Sequence, residues 1–345
     1  MMQCSVDCGA FRRAVQLAQN LVDRKATMPI LQNILLEAAG SNLFIRAMDY
    51  QIGTEIRLDA AIGKEGAIAL SGKRLGDVLK EFSDGSVALS VGSDDSLTVS
   101  YGAGRYRLFG FAPEVFPPVS QPDAVTPIPI TRDRLIETIT RIEYALARQV
   151  SAFTMQGALL AVNGSQLTAV ATDGHRLALA RFARRDGHAG AKCVIPGKVV
   201  HQLKAMLGEV PDELQMGISD KQAWFRSDDI FLVTRLMEGD YHPYKEVIST
   251  EGTNRMEVER DRLVAVVRRV SSLSGERAPL VKMMLGPDNL ALRCDDVECG
   301  DAEDGIEVTY DGVDMTILMN AAYVLDAVGP CRSGALIEML TRSPD

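Results

Sequence analysis

The run Asp173-Gly174-His175 sets a carboxylate two residues from an imidazole, a pairing in which the acid can orient the ring as a general base. Such a site also needs a nucleophile, and Ser151 and Thr154 are the nominal candidates. Asp-Gly is equally a turn former, because the Asp side chain bonds backbone two residues on. A second chemistry would be a divalent cation held by Asp295, Asp296, Glu298, Asp301, Glu303 and Asp304; the same run reads as a solvated acidic loop. The six cysteines (Cys4, Cys8, Cys193, Cys294, Cys299 and Cys331) contain no Cys-x-x-Cys pair, and the four histidines are too scattered to complete a zinc site. Reduced thiols are expected. No Walker-type glycine-rich phosphate loop is present. The expectation is a protein with no catalytic residues, no metal and no cofactor.

Recurrence separates the turn from the base, because the segment around Asp173 occurs three times. Ile34 to Asp49, Ala158 to Asp173 and Val281 to Asp296 each alternate apolar residues, pass a polar Gly/Asn turn and alternate again, as a β-hairpin does. The three aspartates lie 124 and 123 residues apart, and only Asp173 has the histidine. A short strand running into a helix repeats at Gly72, Gly197 and Asn320, spaced 125 and 123 residues. Before each hairpin, apolar residues recur at helical spacing: Phe11, Val15 and Ala18; Leu135, Ile139 and Ile142; Leu263, Val267 and Val270. Each copy is thus α+β, with two helices packed on antiparallel sheet. Linker-like stretches at Phe116–Pro122 and Val247–Gly252 divide the chain into domains 1–122, 123–250 and 251–345.

The third copy is short. Only 25 residues follow Asn320, against about 47 after Gly72 and 50 after Gly197 before the next copy. Counterparts of Leu97–Tyr101 and Tyr106–Gly110 are missing, so the third domain lacks its last two strands. That predicts an exposed sheet edge or a truncated chain.

Net charge is −9, yet the charge is segregated. The expected helices 12–25, 73–82, 132–148, 197–206 and 260–269 carry +3, +1, +1, +2 and +3, and 320–332 is neutral, which leaves −19 for strands and loops. Helices lining one surface would present Lys and Arg to phosphates without reading sequence. The other reading is ordinary solvated helix faces, and Arg268 and Arg269 fit either. Trp224 reads as packing within the second copy. No run of eighteen apolar residues and no signal-peptide core in Met1 to Asn20 occur, so a cytoplasmic protein without a membrane partner is expected.

Ala171-Thr-Asp-Gly-His-Arg-Leu-Ala178 resembles a signature of the bacterial DNA polymerase III β subunit family, the β sliding clamps. Met28-Pro-Ile-Leu-Gln-Asn-Ile-Leu-Leu36, Ile195-Pro-Gly-Lys198, and Thr309-Tyr-Asp-Gly312 with Tyr323-Val-Leu-Asp326 resemble further stretches, in order along nearly the whole chain. The resemblance implies the DNA-clamp fold and a head-to-tail homodimeric ring around double-stranded DNA. It implies partners among the replicative polymerase, the clamp loader and repair proteins, held through short linear motifs. DNA contacts carry over to Arg24, Lys25, Lys73, Gln149 and Lys198. A partner-peptide pocket carries over to Met155, Thr172, Gly174, His175, Arg176, Leu177, Pro243 and Val247, and the dimer interface to Arg74 and Leu273. This chain departs from the family after Gln149, where Ala152, Phe153 and Thr154 replace an arginine and aromatics, and at His242, where the family has proline. Family members also continue through two more strands whose last residues wall the pocket, so a half-open pocket and weaker partner binding are expected. The alternative is a clamp-like adaptor, or a defective clamp copy, that does not close a ring.

Overall fold

The computed structural model describes residues 2–22, 28–120, 125–147, 157–208, 212–248, 254–274 and 279–341. Its secondary structure follows the triplication. The first copy begins with strand Gln3–Asp7 and helix α1 (Cys8–Leu21). Asp7 starts that helix by accepting from the Ala10 amide at 2.8 Å, and Phe11, Ala14, Val15, Ala18 and Leu21 form its buried stripe. Strands Ile34–Ala39, Asn42–Met48, Ile52–Asp59 and Gly66–Leu70 follow. Helix α2 (Gly72–Lys80), capped by Ser71, leads to strands Ser86–Val91, Ser96–Tyr101 and Gly104–Phe111.

The second copy has strand Ile128–Thr131, helix α3 (Arg132–Thr140), the long hairpin Gly157–Thr172 and Leu177–Pro196, and helix α4 (Gly197–Leu207). It closes with strands Glu213–Ile218, Gln222–Arg226 and Ile230–Arg235. Two strands of the first copy are here fused into one, bent at Gly164, whose φ of +54° is left-handed. Helix α3 stops at Thr140, short of the expected 148. The β-branched run Thr138-Ile139-Thr140 disfavours helix, and the Thr138 hydroxyl bonds back to the Arg134 carbonyl at 2.7 Å.

The third copy has strand Asn254–Glu259, helix α5 (Arg260–Ser271), strands Leu280–Gly286, Asn289–Asp296, Gly300–Glu307 and Met315–Asn320, helix α6 (Ala321–Val328) and strand Leu336–Thr341. Asn320 caps α6 through the Ala322 amide at 2.9 Å, the role its recurrence with Gly72 and Gly197 suggested. Its four central strands run in the order Gly300–Glu307, Asn289–Asp296, Leu280–Gly286, Met315–Asn320. That repeats the first copy's order Ile52–Asp59, Asn42–Met48, Ile34–Ala39, Gly66–Leu70. Strand Leu336–Thr341 pairs with Asn254–Glu259, and no strand follows it among the described residues.

The chain forms two compact units. Unit 1 comprises residues 1–139, 152–169 and 181–239; unit 2 comprises 140–151, 170–180 and 240–345. Within unit 1 the first and second copies join edge to edge. Strand Ile230–Arg235 pairs antiparallel with Ile52–Asp59, from Ile230 opposite Ile56 to Thr234 opposite Ile52. The seam is locked by the Thr54 hydroxyl on the Phe231 carbonyl (2.9 Å) and by Arg57 on the Asp229 carboxylate (2.9 Å). Trp224 packs there with Phe231, Val233 and Val119, so it buries linker as well as strand. Unit 2 is built on α5 and α6 against the third-copy sheet, with Met256, Leu263, Val266, Val267, Met283, Leu290 and Leu292 in its core. Each such side chain contributes about 1.5–3 kcal/mol relative to exposure.

Candidate functional site

The three recurrent aspartates do one job. Asp49 Oδ1 accepts from the amides of Gln51 (2.7 Å) and Ile52 (2.9 Å). Asp173 Oδ1 accepts from His175 (3.0 Å) and Arg176 (3.1 Å), and Asp296 Oδ1 from Glu298 (2.9 Å) and Cys299 (2.8 Å). Each carboxylate therefore closes a hairpin turn by satisfying the backbone two and three residues on. The other Asp173 oxygen takes Arg176 Nε at 3.1 Å, so the carboxylate is aimed at backbone and guanidinium. His175 lies exposed on the turn, and Gly174 carries its φ of +87°. Among the described residues no group of three His, Cys, Asp or Glu could hold a metal. Two acids of the dense run are instead neutralised: Asp304 by Arg269 at 2.6 Å, which holds its carboxyl below the ordinary range, and Asp295 by Arg293 at 2.8 Å.

In unit 2 the expected pocket residues gather around Arg176. Its Nη1 donates to Asp326 on α6 at 2.6 Å, its Nη2 to the Tyr144 carbonyl at 2.6 Å, and its Nε to Asp173. The guanidinium lies 4.4 Å from the Tyr323 ring centroid and 5.4 Å from that of Tyr144. Burial works against its charge, but the bonds to Asp326 and Asp173 outweigh that and raise its pKa. The Thr172 hydroxyl donates to the Arg176 carbonyl at 2.8 Å and accepts from the Gly174 amide at 3.1 Å, which fixes the turn from inside. Tyr241 donates to the Val170 carbonyl at 3.3 Å and ties the segment bearing Pro243 and Val247 to the same strand end. Burial pushes the Tyr241 phenol up to about 12. Gly174, His175, Pro243 and Val247 are exposed, Leu177 half-buried and Thr172 buried. Met155 lies outside the described residues. Arg176, expected among the pocket residues, uses one N–H of each of its three nitrogens within unit 2. Tyr144, Tyr323 and Asp326 were not foreseen as its holders, although Tyr323 and Asp326 stood in one of the resembling stretches.

In unit 1, Lys198 sits in the first turn of α4, where a cation opposes the helix dipole. Its Nζ forms an ion pair with Oδ2 of Asp49, a carboxylate on a residue only 7% exposed. Lys73 and Arg74 open α2 and are exposed. Helices α1 and α2 pack closely enough that a Cβ on Gly76 would meet Gln19 Oε1 at 3.0 Å, and Gln202 of α4 donates to the Asn20 carbonyl at 3.3 Å. Lys73 lines a small hollow with Gln19 and Val22, the last described residue before 23–27. The structure thus places Lys73 beside the end of α1; Arg24, Lys25 and Gln149 lie outside the described residues.

Sequence reasoning missed one surface. Strand Gly104–Phe111 pairs along its length with Ser96–Tyr101 but meets Gly66–Leu70 only at Gly110 and Phe111, so most of its other edge is open. It exposes Phe109 (72%) and Phe111 (52%) beside Arg105 and Arg107. In unit 2, strand Gly300–Glu307 ends its sheet, pairs among the described residues only with Asn289–Asp296, and exposes Asp301, Glu303 and Glu307. Leu273, just past α5, is also exposed. Alternation in Arg105-Tyr106-Arg107-Leu108-Phe109 was the signal available.

Family models for the N-terminal, central and C-terminal domains of the DNA polymerase III beta subunit match residues 2–120, 129–243 and 245–341. A beta sliding clamp of Caulobacter vibrioides is 29% identical over 335 residues, covering 95% of this chain and 90% of that protein. One of Pseudomonas aeruginosa is 27% identical over 336 residues, with the same coverage. Among solved structures, the C. crescentus beta sliding clamp superposes with a TM-score of 0.92 at 28% identity, covering 99% of this chain and 93% of that one. The Bacillus subtilis DNA polymerase sliding clamp gives 0.93 at 22% identity and the same coverage, a likeness of fold.

Proposed function

We propose, from the premise that this chain belongs to the DNA polymerase III beta subunit family of sliding clamps, that two copies close head to tail into a ring around duplex DNA and tether polymerase to it. In this reading the chain comprises three clamp domains, 1–122, 123–250 and 251–345. The observation that carries it is the seam inside unit 1. There the last strand of the second copy, Ile230–Arg235, pairs with the third strand of the first copy's four-stranded sheet, Ile52–Asp59. The same two positions elsewhere in the triplication are Gly104–Phe111 and Gly300–Glu307, and both have open edges. A second molecule repeats the seam by joining them, with Arg105 facing Asp301, Glu303 and Glu307, while Arg107 is held by Asp94 and Ser96 of its own chain. Heterologous contacts of this kind close into rings when the rotation allows. Arg74 and Leu273 border this contact.

Arg24, Lys25, Lys73, Gln149 and Lys198 then contact phosphates without reading bases, so binding is independent of sequence and weakens with salt. Met155, Thr172, Gly174, His175, Leu177, Pro243 and Val247 receive the apolar anchor of a short motif from polymerase, clamp loader or repair proteins. Arg176 shapes that pocket from beneath, as a strut. The protein is a non-catalytic processivity factor of the cytoplasm.

Sedimentation across a dilution series tests the ring. The expected mass is twice 37.5 kDa, and Phe109→Asp is expected to give the monomer. A wild-type monomer at all concentrations would refute ring closure and leave the adaptor reading.

A further inference from the structure

Unit 1 contains a cavity of about 640 Å³ that none of the expected sites uses. It lies in the second copy, between edge strand Ile128–Thr131, the start of α3 and the long hairpin. That volume is in the range of small-molecule sites, ~300–1,000 Å³. Its floor is apolar, from Ile130, Leu167 and Leu214, all buried. Three guanidinium groups line it: Arg134, Arg184 and Arg226.

Each arginine is held by one part and leaves another part available. Arg226 lies over Phe231 at 4.7 Å and over Trp224 at 5.5 Å, contacts that use the face of the guanidinium and spare its N–H edge. Arg134 lies over Phe182 at 4.7 Å and gives only Nη1, to Glu137 at 2.9 Å. Arg184 donates from Nη2 to the Pro129 carbonyl at 3.2 Å, while its Nη1 is shielded from solvent with no partner among the described residues. Aromatic stacking also fixes the guanidinium planes beforehand, so less freedom is lost when an anion docks. Glu213 and Asp228 are also in the lining.

We propose that this cavity is a binding site for the phosphate group of a small organic phosphate or diphosphate. The chemistry suits phosphate, because guanidinium forks bind its oxygens two at a time, and three arginines line one hollow.

The test is isothermal titration of the full chain with inorganic pyrophosphate and, separately, with citrate, at fixed ionic strength. Saturable pyrophosphate binding is expected, weakened at least about tenfold by Arg184→Gln with Arg226→Gln, a loss of ~1.4 kcal/mol. Circular dichroism of that variant must match wild type; if it does not, Arg226→Gln alone is read, with a smaller expected loss. Lys73→Ala with Lys198→Ala must bind pyrophosphate as wild type does, which separates this site from the DNA-facing surface. No saturable binding, equal binding by the arginine variants, loss in the lysine variant, or binding of citrate alone each overturns the proposal.

Discussion

Replacing Arg176 by alanine should cost more stability than almost any other exposed-turn substitution in this chain. The side chain is 19% exposed and makes three bonds at once, to Asp326, Asp173 and the Tyr144 carbonyl, besides its contact with the Tyr323 ring. A bond to or from a charged group contributes ~1.5–3 kcal/mol. Asp326 is 44% exposed, so that bond counts near the ~0–1 kcal/mol of a surface pair. Asp173 keeps its two backbone amides after the change, so it is not stranded without partners. Taking the low end for Asp173 and the carbonyl, about half a kcal/mol for Asp326 and about as much for the aromatic contact, the loss is about 4 kcal/mol. At ~2.1 cal/mol/K of unfolding entropy per residue over 345 residues, 1 kcal/mol is roughly 1.4 °C, so the melting temperature should fall by about 6 °C.

The assay is a thermal melt of Arg176→Ala, Asp326→Asn and the double variant, with His175→Ala as a control on the same turn. The control should melt with wild type, since that side chain is exposed. The cycle should give a coupling below ~1 kcal/mol for the Arg176–Asp326 pair. If Arg176→Ala melts within about 1 °C of wild type, a loss under ~1 kcal/mol, the strut assignment is wrong and Arg176 is free to serve a partner instead.

Three further outcomes follow from the same geometry. Asp49→Ala should destabilise more than Lys198→Ala, because it removes the acceptor for two amides as well as the ion pair; ~2 against ~1 kcal/mol is expected by denaturant titration, and only Lys198→Ala should leave the turn intact while weakening retention on circular DNA. Asp261 is held at about 2, chiefly by the Ser333 hydroxyl, then by Arg260 and the Gly334 amide, against 3.8 for an ordinary Asp. Its folded pKa is depressed, so its contribution is full above the unfolded value and is lost as pH falls from near 4 toward about 2; an acid melt in which Asp261→Asn follows the wild-type curve through that window would contradict this. Cys193 is buried and its thiol pushed up to about 12 by desolvation, whereas Cys299 is exposed; mass spectrometry after brief iodoacetamide treatment of the native protein should find Cys299 alkylated and Cys193 untouched.

The elements that sequence made legible are those fixed by local chemistry. The triplication exposed the turn-closing aspartates, because a role repeated at Asp49, Asp173 and Asp296 without the histidine had to be a backbone role. Helical periodicity found the first helix of each copy and the recurrent cap position at Gly72, Gly197 and Asn320 the second; periodicity overran at α3, where Thr138 turns its hydroxyl onto its own helix. The other oxygen of each aspartate was not legible. For Asp49 it meets Lys198, 149 residues away, and no pattern of period 2 or 3.6 reports a contact set by how two copies dock.

Charge counting shows the same boundary from the other side. Segment 260–269 carries +3 in sequence, yet Arg260 binds Asp261 and the carbonyls of Val328 (3.4 Å) and Gly329 (2.7 Å), Arg262 lies 3.9 Å from Glu307, and Arg269 is bound to Asp304. Arg12 of the first helix likewise donates to the Phe82 carbonyl at 2.8 Å. A basic helix in sequence is therefore an upper bound on the field it presents, because strands packed behind it supply partners the count cannot see. Lys73, exposed at the head of α2, keeps its charge for solvent or phosphate, whereas Lys198 must share its charge with Asp49. The two lysines were equivalent in the sequence reading. They should differ in the structure: Lys73→Ala should reduce the salt slope of DNA binding by nearly a full ion, and Lys198→Ala by less, because Asp49 already neutralises part of its charge.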